Sequence, residues 1–181
     1  MRTAFHRAHH DAYRLGALAL LIAGAVILTA LGYQYIGGLE PCHLCLIERD
    51  AYYAGIPALF LALIAVSGGH PGWAAIGFFL VSLTFLANAS LGTYHAGAEW
   101  GWWPGPTTCS GGLQPLDSPA DLLKGLKIAH VVRCDQASWW FLGLSMAAWN
   151  AIISIGLWIT SYAAGRSALR ARTAATSEFF I

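Results

Sequence analysis

The sequence predicts an all-α membrane protein: a bundle of four transmembrane helices, with a long loop outside the membrane between the third and fourth. Two observations lead to this prediction. Hydrophobic residues make up 57% of the 181 residues and charged residues only 10%, against roughly 45–50% and ~25% in soluble domains. Four long apolar runs are separated by polar segments. A soluble fold of this size could not bury so much apolar surface, so a bilayer must cover part of it.

The first apolar run covers residues 15–36 and contains no charged side chain. As a helix it would extend about 33 Å, enough to cross a hydrocarbon core of roughly 30 Å. The polar residues before it resemble the charged front of a signal peptide. However, no small-x-small cleavage motif follows the run, so we predict a retained transmembrane helix.

The other three spans are predicted at about 46–66, 73–94 and 139–164, within a single domain that covers residues 1–181. Pro57 lies inside the second span, which membrane helices tolerate. The loop at about 95–138 is rich in Gly, Pro and Trp. Within it, residues 118–127 have a helical apolar spacing, which fits a short helix on the membrane surface or a solvated helical turn. The residues after Arg172 have no clear structural pattern.

Basic residues set the predicted orientation. Four spans place both termini on one side, which then carries six of the ten basic residues. These are Arg2, Arg7, Arg14, Arg166, Arg170 and Arg172. By the positive-inside rule the termini are cytoplasmic and the cysteines face the opposite side, which in a bacterium is the periplasm, where disulfides persist. The net charge of +1 and the lack of a basic stripe argue against a nucleic-acid partner.

Residues 40–49 combine the reactive side chains Cys42, Cys45, Glu48 and Arg49. If a helix begins near Pro41, both cysteines lie at its first turn, where free amide groups and the helix dipole favour the thiolate. Arg49 follows one turn after Cys45, where a cation would stabilise a thiolate or a neighbouring anion. Ionisable groups at a membrane boundary are costly to hold, so we interpret this cluster as a functional site.

Each feature also has a simpler interpretation. The Cys-x-x-Cys pair, with His43 between the sulfurs, could be half of a zinc site. Zinc usually takes a second close pair, and Cys109 and Cys134 are 25 residues apart, so we predict no metal. That separation would suit a structural disulfide. Arg49 could be an interface anchor, and His95 could be a hydrogen-bonded interface histidine.

Several motifs together resemble the disulfide bond formation protein B family. A reactive segment follows the first span and contains Pro41, Cys42, Cys45, Glu48 and Arg49. A second cysteine pair lies between the third and fourth spans. Further matching segments are residues 94–95, 100–106, 134–136 and 141–146. The resemblance covers about residues 15–162. It implies an inner-membrane quinone reductase that reoxidises a periplasmic thioredoxin-like thiol oxidase, of the disulfide bond formation protein A type.

The resemblance also implies roles for individual residues. Cys42 and Cys45 would reduce ubiquinone or menaquinone, with Cys45 as the electron donor. Cys109 and Cys134 would exchange with the thiol partner, Cys109 being attacked first. Three residues would form the quinone site: Arg49, Glu48 and His95. Arg49 would stabilise the negative charge that develops on the acceptor.

Two rival hypotheses remain open from the sequence. One is a different quinone-linked thiol oxidoreductase, such as an enzyme like vitamin K epoxide reductase, although that family places its loop pair before the Cys-x-x-Cys pair. The other is a membrane scaffold or sensor that catalyses no reaction and is either stabilised by a disulfide or binds a metal ion.

Overall fold

A computed structural model describes residues 2–105, 134, 137 and 139–179. The described part contains four helices and one small hairpin. The helices are α1 (Arg2–Tyr35), α2 (His43–Ser67), α3 (Pro71–Glu99) and α4 (Met146–Phe179), and the hairpin pairs β1 (Trp140–Phe141) with β2 (Leu144–Ser145). All four helices are long and apolar enough to cross a membrane. The predicted fold class, a four-helix membrane bundle, is therefore confirmed.

The helix bounds differ from the predicted spans at the polar ends. The fourth span was expected at 139–164, but α4 begins at Met146 because the hairpin occupies residues 140–145. The expectation of no structure after Arg172 is wrong, since α4 continues to Phe179. α1 likewise includes the polar residues before position 15. Apolar runs mark the lipid-covered part of a helix and miss turns that extend into water. The predicted helix at 118–127 lies outside the described residues.

The turn between α1 and α2 depends on Gly38. Gly37 N–H donates to the Gly32 carbonyl at 3.1 Å, and Leu39 N–H donates to the Tyr33 carbonyl at 3.1 Å. The chain reverses direction with Gly38 at φ +67°, a left-handed conformation that glycine adopts without a Cβ clash. α2 therefore begins only eight residues after α1 ends, which holds the cysteine segment close to the first helix.

The helices form a ring in chain order. α1 packs against α2 and α4, and α3 packs against α2 and α4, with the most extensive contact between α3 and α4. The largest fully buried apolar side chains are Leu59, Phe78, Phe85 and Leu157, and together with small residues they fill the middle of the bundle. Many large apolar side chains on the outer faces stay exposed, as expected where lipid covers a surface.

The cysteine segment lies at the end of the bundle opposite the chain termini. At that end α1 and α3 finish while α2 and α4 begin. At the other end His9 Nε2 lies 2.9 Å from the Val66 carbonyl, which places the start of α1 beside the end of α2.

The close approach of α3 to α4 gives a stability prediction. A Cβ atom built at Gly92 would lie 3.1 Å from the Ala151 backbone nitrogen, so Gly92→Val should force the two helices apart. We expect a loss of about 1–3 kcal/mol, the usual cost of overpacking, measured as a lower unfolding temperature in detergent. Gly24→Val is the matched control, because no described atom beyond its own stretch of helix lies within 4 Å of a Cβ at that position. Equal unfolding temperatures for the two variants would contradict the close packing.

Candidate functional site

The cysteine pair is placed by the N-terminus of α2. Cys42 is the N-cap residue, and its sulfur accepts a hydrogen bond from the Cys45 backbone N–H at 3.1 Å. Cys45 therefore lies in the first turn, as the spacing predicts. Cys42 is buried and Cys45 is half-buried. Both sulfurs thus lie where the unpaired amides of the helix start favour negative charge.

The two sulfurs are in direct contact. Both residues are free cysteines, and their Sγ atoms lie 2.6 Å apart. The hydrogen bond from the Cys45 thiol lowers the pKa of Cys42, and this effect outweighs burial, which raises it. Cys42 is consequently the member of the pair that is favoured as a thiolate, and little movement separates the pair from the ~2.05 Å of a disulfide bond.

A buried histidine–carboxylate pair lies beside Cys42. His95 Nδ1 is 2.8 Å from Glu48 Oε1, and His95 Nε2 is 3.7 Å from Cys42 Sγ. A carboxylate can only accept, so Nδ1 carries the proton donated to Glu48, and Nε2 is the ring nitrogen that faces the sulfur. Glu99 Oε1 lies 3.9 Å from the same Nε2. The site therefore has an acid–base group next to the cysteine pair.

The polar contacts continue from Glu48 across the bundle. Glu48 Oε2 accepts a hydrogen bond from Asn150 Nδ2 at 2.9 Å, and Asn150 Oδ1 accepts one from the Tyr52 hydroxyl at 2.7 Å. Asn88 Nδ2 donates to Ser154 Oγ at 2.9 Å and lies 3.5 Å from Asn150 Oδ1. Sequence reasoning missed Asn150, Tyr52 and Asn88. Asparagines inside otherwise apolar runs were the available signal, because polar groups in membrane helices are seldom left without a function or a partner.

A cavity of about 490 Å³ opens on the other side of Cys45. α1, α2, α4 and the hairpin all contribute to its walls. The polar side chains among its lining residues include Gln34, Cys45, Glu48, Arg49, Tyr52 and Asn150, and the aromatic ones include Tyr33, Trp139, Phe141 and Trp149. Its size and mostly apolar surface suit a flat organic ligand.

Arg49 is fixed at the α1 side of this cavity. Its Nη1 donates to Gln34 Oε1, and its Nη2 donates to the Ala30 carbonyl at 3.4 Å. These bonds engage part of the guanidinium fork, which carries five N–H donors in total. The structure therefore brings Cys45 and Arg49 to one cavity wall and places Glu48 between that cavity and His95.

The second cysteine pair is only partly described. Cys134 is disulfide-bonded, fully buried, and packed in one cluster with Cys42 and Leu44. Cys109 lies outside the described residues, and so does most of the loop. Cys134 thus lies beside the helix pair, while the expected pairing of Cys109 with Cys134 stays a prediction.

One group of side chains in the described part of the chain could be considered for a metal ion. Atoms of Cys42, Cys45 and His95 lie within 4.8 Å of one another, whereas the exposed His43 is not in this group. Tetrahedral zinc with Zn–S bonds of ~2.3 Å separates two sulfur ligands by about 3.7 Å. The sulfurs here are 2.6 Å apart, closer than two sulfur ligands of one zinc ion and nearer to the separation in a disulfide. The absence of a metal stays a prediction.

Comparison with known proteins identifies the family. The family described as "Disulfide bond formation protein DsbB" matches residues 13–164. The chain belongs to this family. It is 32% identical to a disulfide bond formation protein B of Methylococcus capsulatus over 151 residues, covering 77% of this chain and 85% of the relative. It is also 30% identical to one from an Acidovorax species over 140 residues, covering 74% of this chain and 76% of that protein. The resemblance inferred from the motifs is therefore confirmed, and the chain is a multi-pass membrane protein of the disulfide-forming class.

The contact between the two sulfurs predicts a change in reactivity. Cys45→Ala removes the thiol that donates to Cys42, and a lost donor destabilises the thiolate, so the pKa of Cys42 should rise. The measurement is the pH dependence of Cys42 alkylation in the reduced protein, with peptides identified by mass spectrometry. His43→Ala is the control, because it changes an exposed neighbour. This variant should show the same pH dependence of Cys42 alkylation as the parent protein. An unchanged profile for Cys45→Ala would contradict the assigned donor.

Proposed function

We propose that this protein is a membrane thiol:quinone oxidoreductase. It reoxidises a periplasmic thioredoxin-like thiol oxidase of the disulfide bond formation protein A type and passes the electrons to ubiquinone or menaquinone. The observation that carries the proposal is the cavity beside Cys45, whose lining includes Arg49 and Glu48. Quinone dissolves in the bilayer, and when bound it would accept two electrons and two protons.

The cavity has the chemistry that a quinone ring needs. Trp139, Phe141 and Trp149 give it aromatic walls, and the ring-sized space is open to the side chain of a half-buried cysteine. The Arg49 guanidinium would bind a carbonyl oxygen and stabilise negative charge there, since its planar fork can donate in several directions. Gln34 holds that guanidinium in place, so little motion is required when the ring binds.

The protein's own groups can carry the protons. Oxidising the Cys42–Cys45 dithiol breaks two S–H bonds, forms one S–S bond and releases two electrons and two protons. His95 Nε2 is 3.7 Å from Cys42 Sγ, and His95 Nδ1 is hydrogen-bonded to Glu48. Because Glu48 also lines the cavity, protons released at the sulfur have a short path to the acceptor side. Glu48 and His95 act here as acid–base groups.

The loop pair would connect this site to the soluble partner. A partner thiolate attacks Cys109, a mixed disulfide forms, and Cys134 is released as a thiolate. The partner's second thiolate attacks the mixed disulfide, which releases the oxidised partner and leaves Cys109 as a thiolate. Two further exchanges, through a disulfide between the two pairs, then reduce the Cys42–Cys45 disulfide and restore the loop disulfide, with no net change in electrons. The packing of Cys134 against Cys42 supports this transfer. Each exchange is reversible, because a difference of ~30 mV between the reduction potentials of two disulfides corresponds to only about 1.4 kcal/mol. Removal of the electrons by quinone therefore sets the direction of the whole sequence.

The proposed location is the bacterial inner membrane, with both termini cytoplasmic. The clustering of Arg2, Arg7, Arg14, Arg166, Arg170 and Arg172 near the termini supports this orientation by the positive-inside rule. The site end would then face the periplasm, where the thiol partner is available.

A coupled assay tests the proposal. Purified protein, a reduced thioredoxin-like thiol oxidase and a soluble quinone should give quinone reduction with matching loss of partner thiols. Cys45→Ser should reduce the rate to background, because the sulfur next to the cavity is missing. Leu46→Ser, an exposed neighbour, should retain the parent rate. Parent protein that contains stoichiometric zinc and gives no quinone-dependent oxidation would instead support the metal-binding scaffold.

Arg49→His tests the cavity separately from the thiol exchange. Loss of a charge-assisted contact should raise the KM for quinone about tenfold or more, while disulfide exchange with the partner stays at the parent rate. Stopped-flow measurements of the two half-reactions separate these effects. Arg14→His, an exposed change at the opposite end of the bundle, is the control. Equal losses in both half-reactions would contradict the assignment of Arg49 to the quinone site.

A further inference from the structure

We infer that Asn150 is a positioning residue that holds the Glu48–His95 pair in the arrangement needed to move protons between the cysteine pair and the cavity. This inference rests on the proposed function and adds a residue to its machinery. Asn150 touches neither the sulfurs nor His95 by any hydrogen bond among the described residues. Because Asn150 and Tyr52 also line the cavity, the division of the effect between kcat and the KM for quinone distinguishes action through Glu48 from direct contact with the ring.

The Asn150 amide joins helices that are otherwise apart. α2 and α4 lie on opposite sides of the ring of helices. Asn150 extends from the start of α4 to Glu48 and Tyr52, both on α2, at 2.9 and 2.7 Å. It also lies 3.5 Å from Asn88 Nδ2 on α3. One side chain therefore contacts two other helices at the end of the bundle that carries the cysteine pair.

The orientation of this amide is determined by its neighbours. Glu48 as a carboxylate can only accept a hydrogen bond, so the NH₂ group of Asn150 must face it. The amide oxygen then faces Tyr52, whose hydroxyl donates, and the Asn88 NH₂ group. Asn88 is itself held by Ser154 at 2.9 Å, and both of these residues are buried. A rotated amide would place its oxygen against the carboxylate and be repelled.

The fixed amide completes the hydrogen bonding of Glu48. One carboxylate oxygen accepts from His95 and the other accepts from Asn150. A buried carboxylate with one unpaired oxygen is costly, and it could relieve this by rotating toward the cavity or toward Arg49. Rotation would break the bond to His95 Nδ1. Asn150 therefore keeps the imidazole oriented with Nε2 toward Cys42.

Several ionisable groups surround Glu48, and any pH effect must include them. They are His95 and Glu99 on α3, Cys42, Cys45, Arg49 and Tyr52 on or next to α2, and two further residues that line the same cavity, Tyr33 on α1 and Glu40 between α1 and α2. α4 presents the neutral Asn150. Replacing that amide with a carboxyl group changes one atom and adds one ionisable group in direct contact with Glu48.

The experiment compares Asn150→Ala, Asn150→Asp and Tyr52→Phe in the full-length protein. Asn150→Ala should lower kcat for quinone reduction about 10- to 100-fold, within the range of acid–base contributions, with the KM for quinone within about twofold. Partner exchange at the loop cysteines should be unchanged. Tyr52→Phe keeps the ring but removes the donor to the amide oxygen, so a smaller loss in the same direction is expected. Thr160→Ala, which loses only a hydroxyl bond to its own helix at Gly156, is the control.

Asn150→Asp supplies a readout that a purely structural role would not give. A protonated carboxyl group can donate to Glu48 and accept from Tyr52, as the amide does. An ionised one would face Glu48 with like charge. The activity of Asn150→Asp, divided by that of the parent protein at the same pH, should therefore be near one at low pH and fall as pH rises. The same ratio for Asn150→Ala should not change with pH. Unfolding temperatures at each pH check that the fold persists.

Each outcome has a definite meaning. Parent-like kcat in Asn150→Ala, a loss confined to the KM for quinone, or an Asn150→Asp ratio independent of pH would overturn the inference. If Asn150→Ala does not fold, Tyr52→Phe and Asn150→Asp decide by the same criteria. If the parent protein itself shows no quinone-dependent oxidation, the proposed function fails and this inference fails with it. An active parent with unaffected Asn150 variants removes the inference alone.

Discussion

The arrangement of the site follows from one constraint: a carboxylate buried among apolar helices is costly to hold unless it is hydrogen-bonded. Glu48 is only 6% exposed. It meets the constraint with His95 from α3 on one oxygen and Asn150 from α4 on the other. These bonds connect the helix that carries the cysteines to two others. The polar contacts therefore fix the helix ends around the cavity at the same time as they hold the imidazole beside Cys42.

The hairpin shows how the local chain shapes the cavity. Leu142 and Gly143 both have positive φ, at 52° and 78°, which is the turn that a two-residue hairpin prefers, although leucine adopts it at a cost. Trp149 Nε1 donates to the Phe141 carbonyl at 3.0 Å, so the first turns of α4 hold the strand. Phe141 is then kept against the cavity. Because α4 begins at Met146 and not at residue 139, the hairpin before it can place Phe141 in the aromatic wall of the cavity.

Local features of the sequence were sufficient to predict the helices and the reactive segment. Long uncharged runs mark lipid-covered helices, and Cys42, Cys45 and Arg49 are related by spacing along a single helix. The family resemblance assigned His95 and Glu48 to one site, but their hydrogen bond was not predicted. Asn150 was missed because it lies 102 positions from Glu48, and no local periodicity reports such a contact. The start of α4 was misplaced because Trp140 and Phe141 are as apolar as a helix segment, while their strand pairing depends on the turn that follows.

The two sulfurs of the pair have different surroundings, and this asymmetry gives the site a direction. Cys42 is buried in one cluster with Cys134 and lies next to His95, whereas Cys45, packed at the edge of that cluster, also lines the cavity. Thiol exchange needs access for one sulfur to attack another, and transfer to a flat acceptor needs contact with a ring. A single disulfide that spans both environments satisfies each requirement without a large movement of the helix. On the proposed function, electrons would enter at Cys42 and leave at Cys45, while His95 and Glu48 carry the protons over the same short distance.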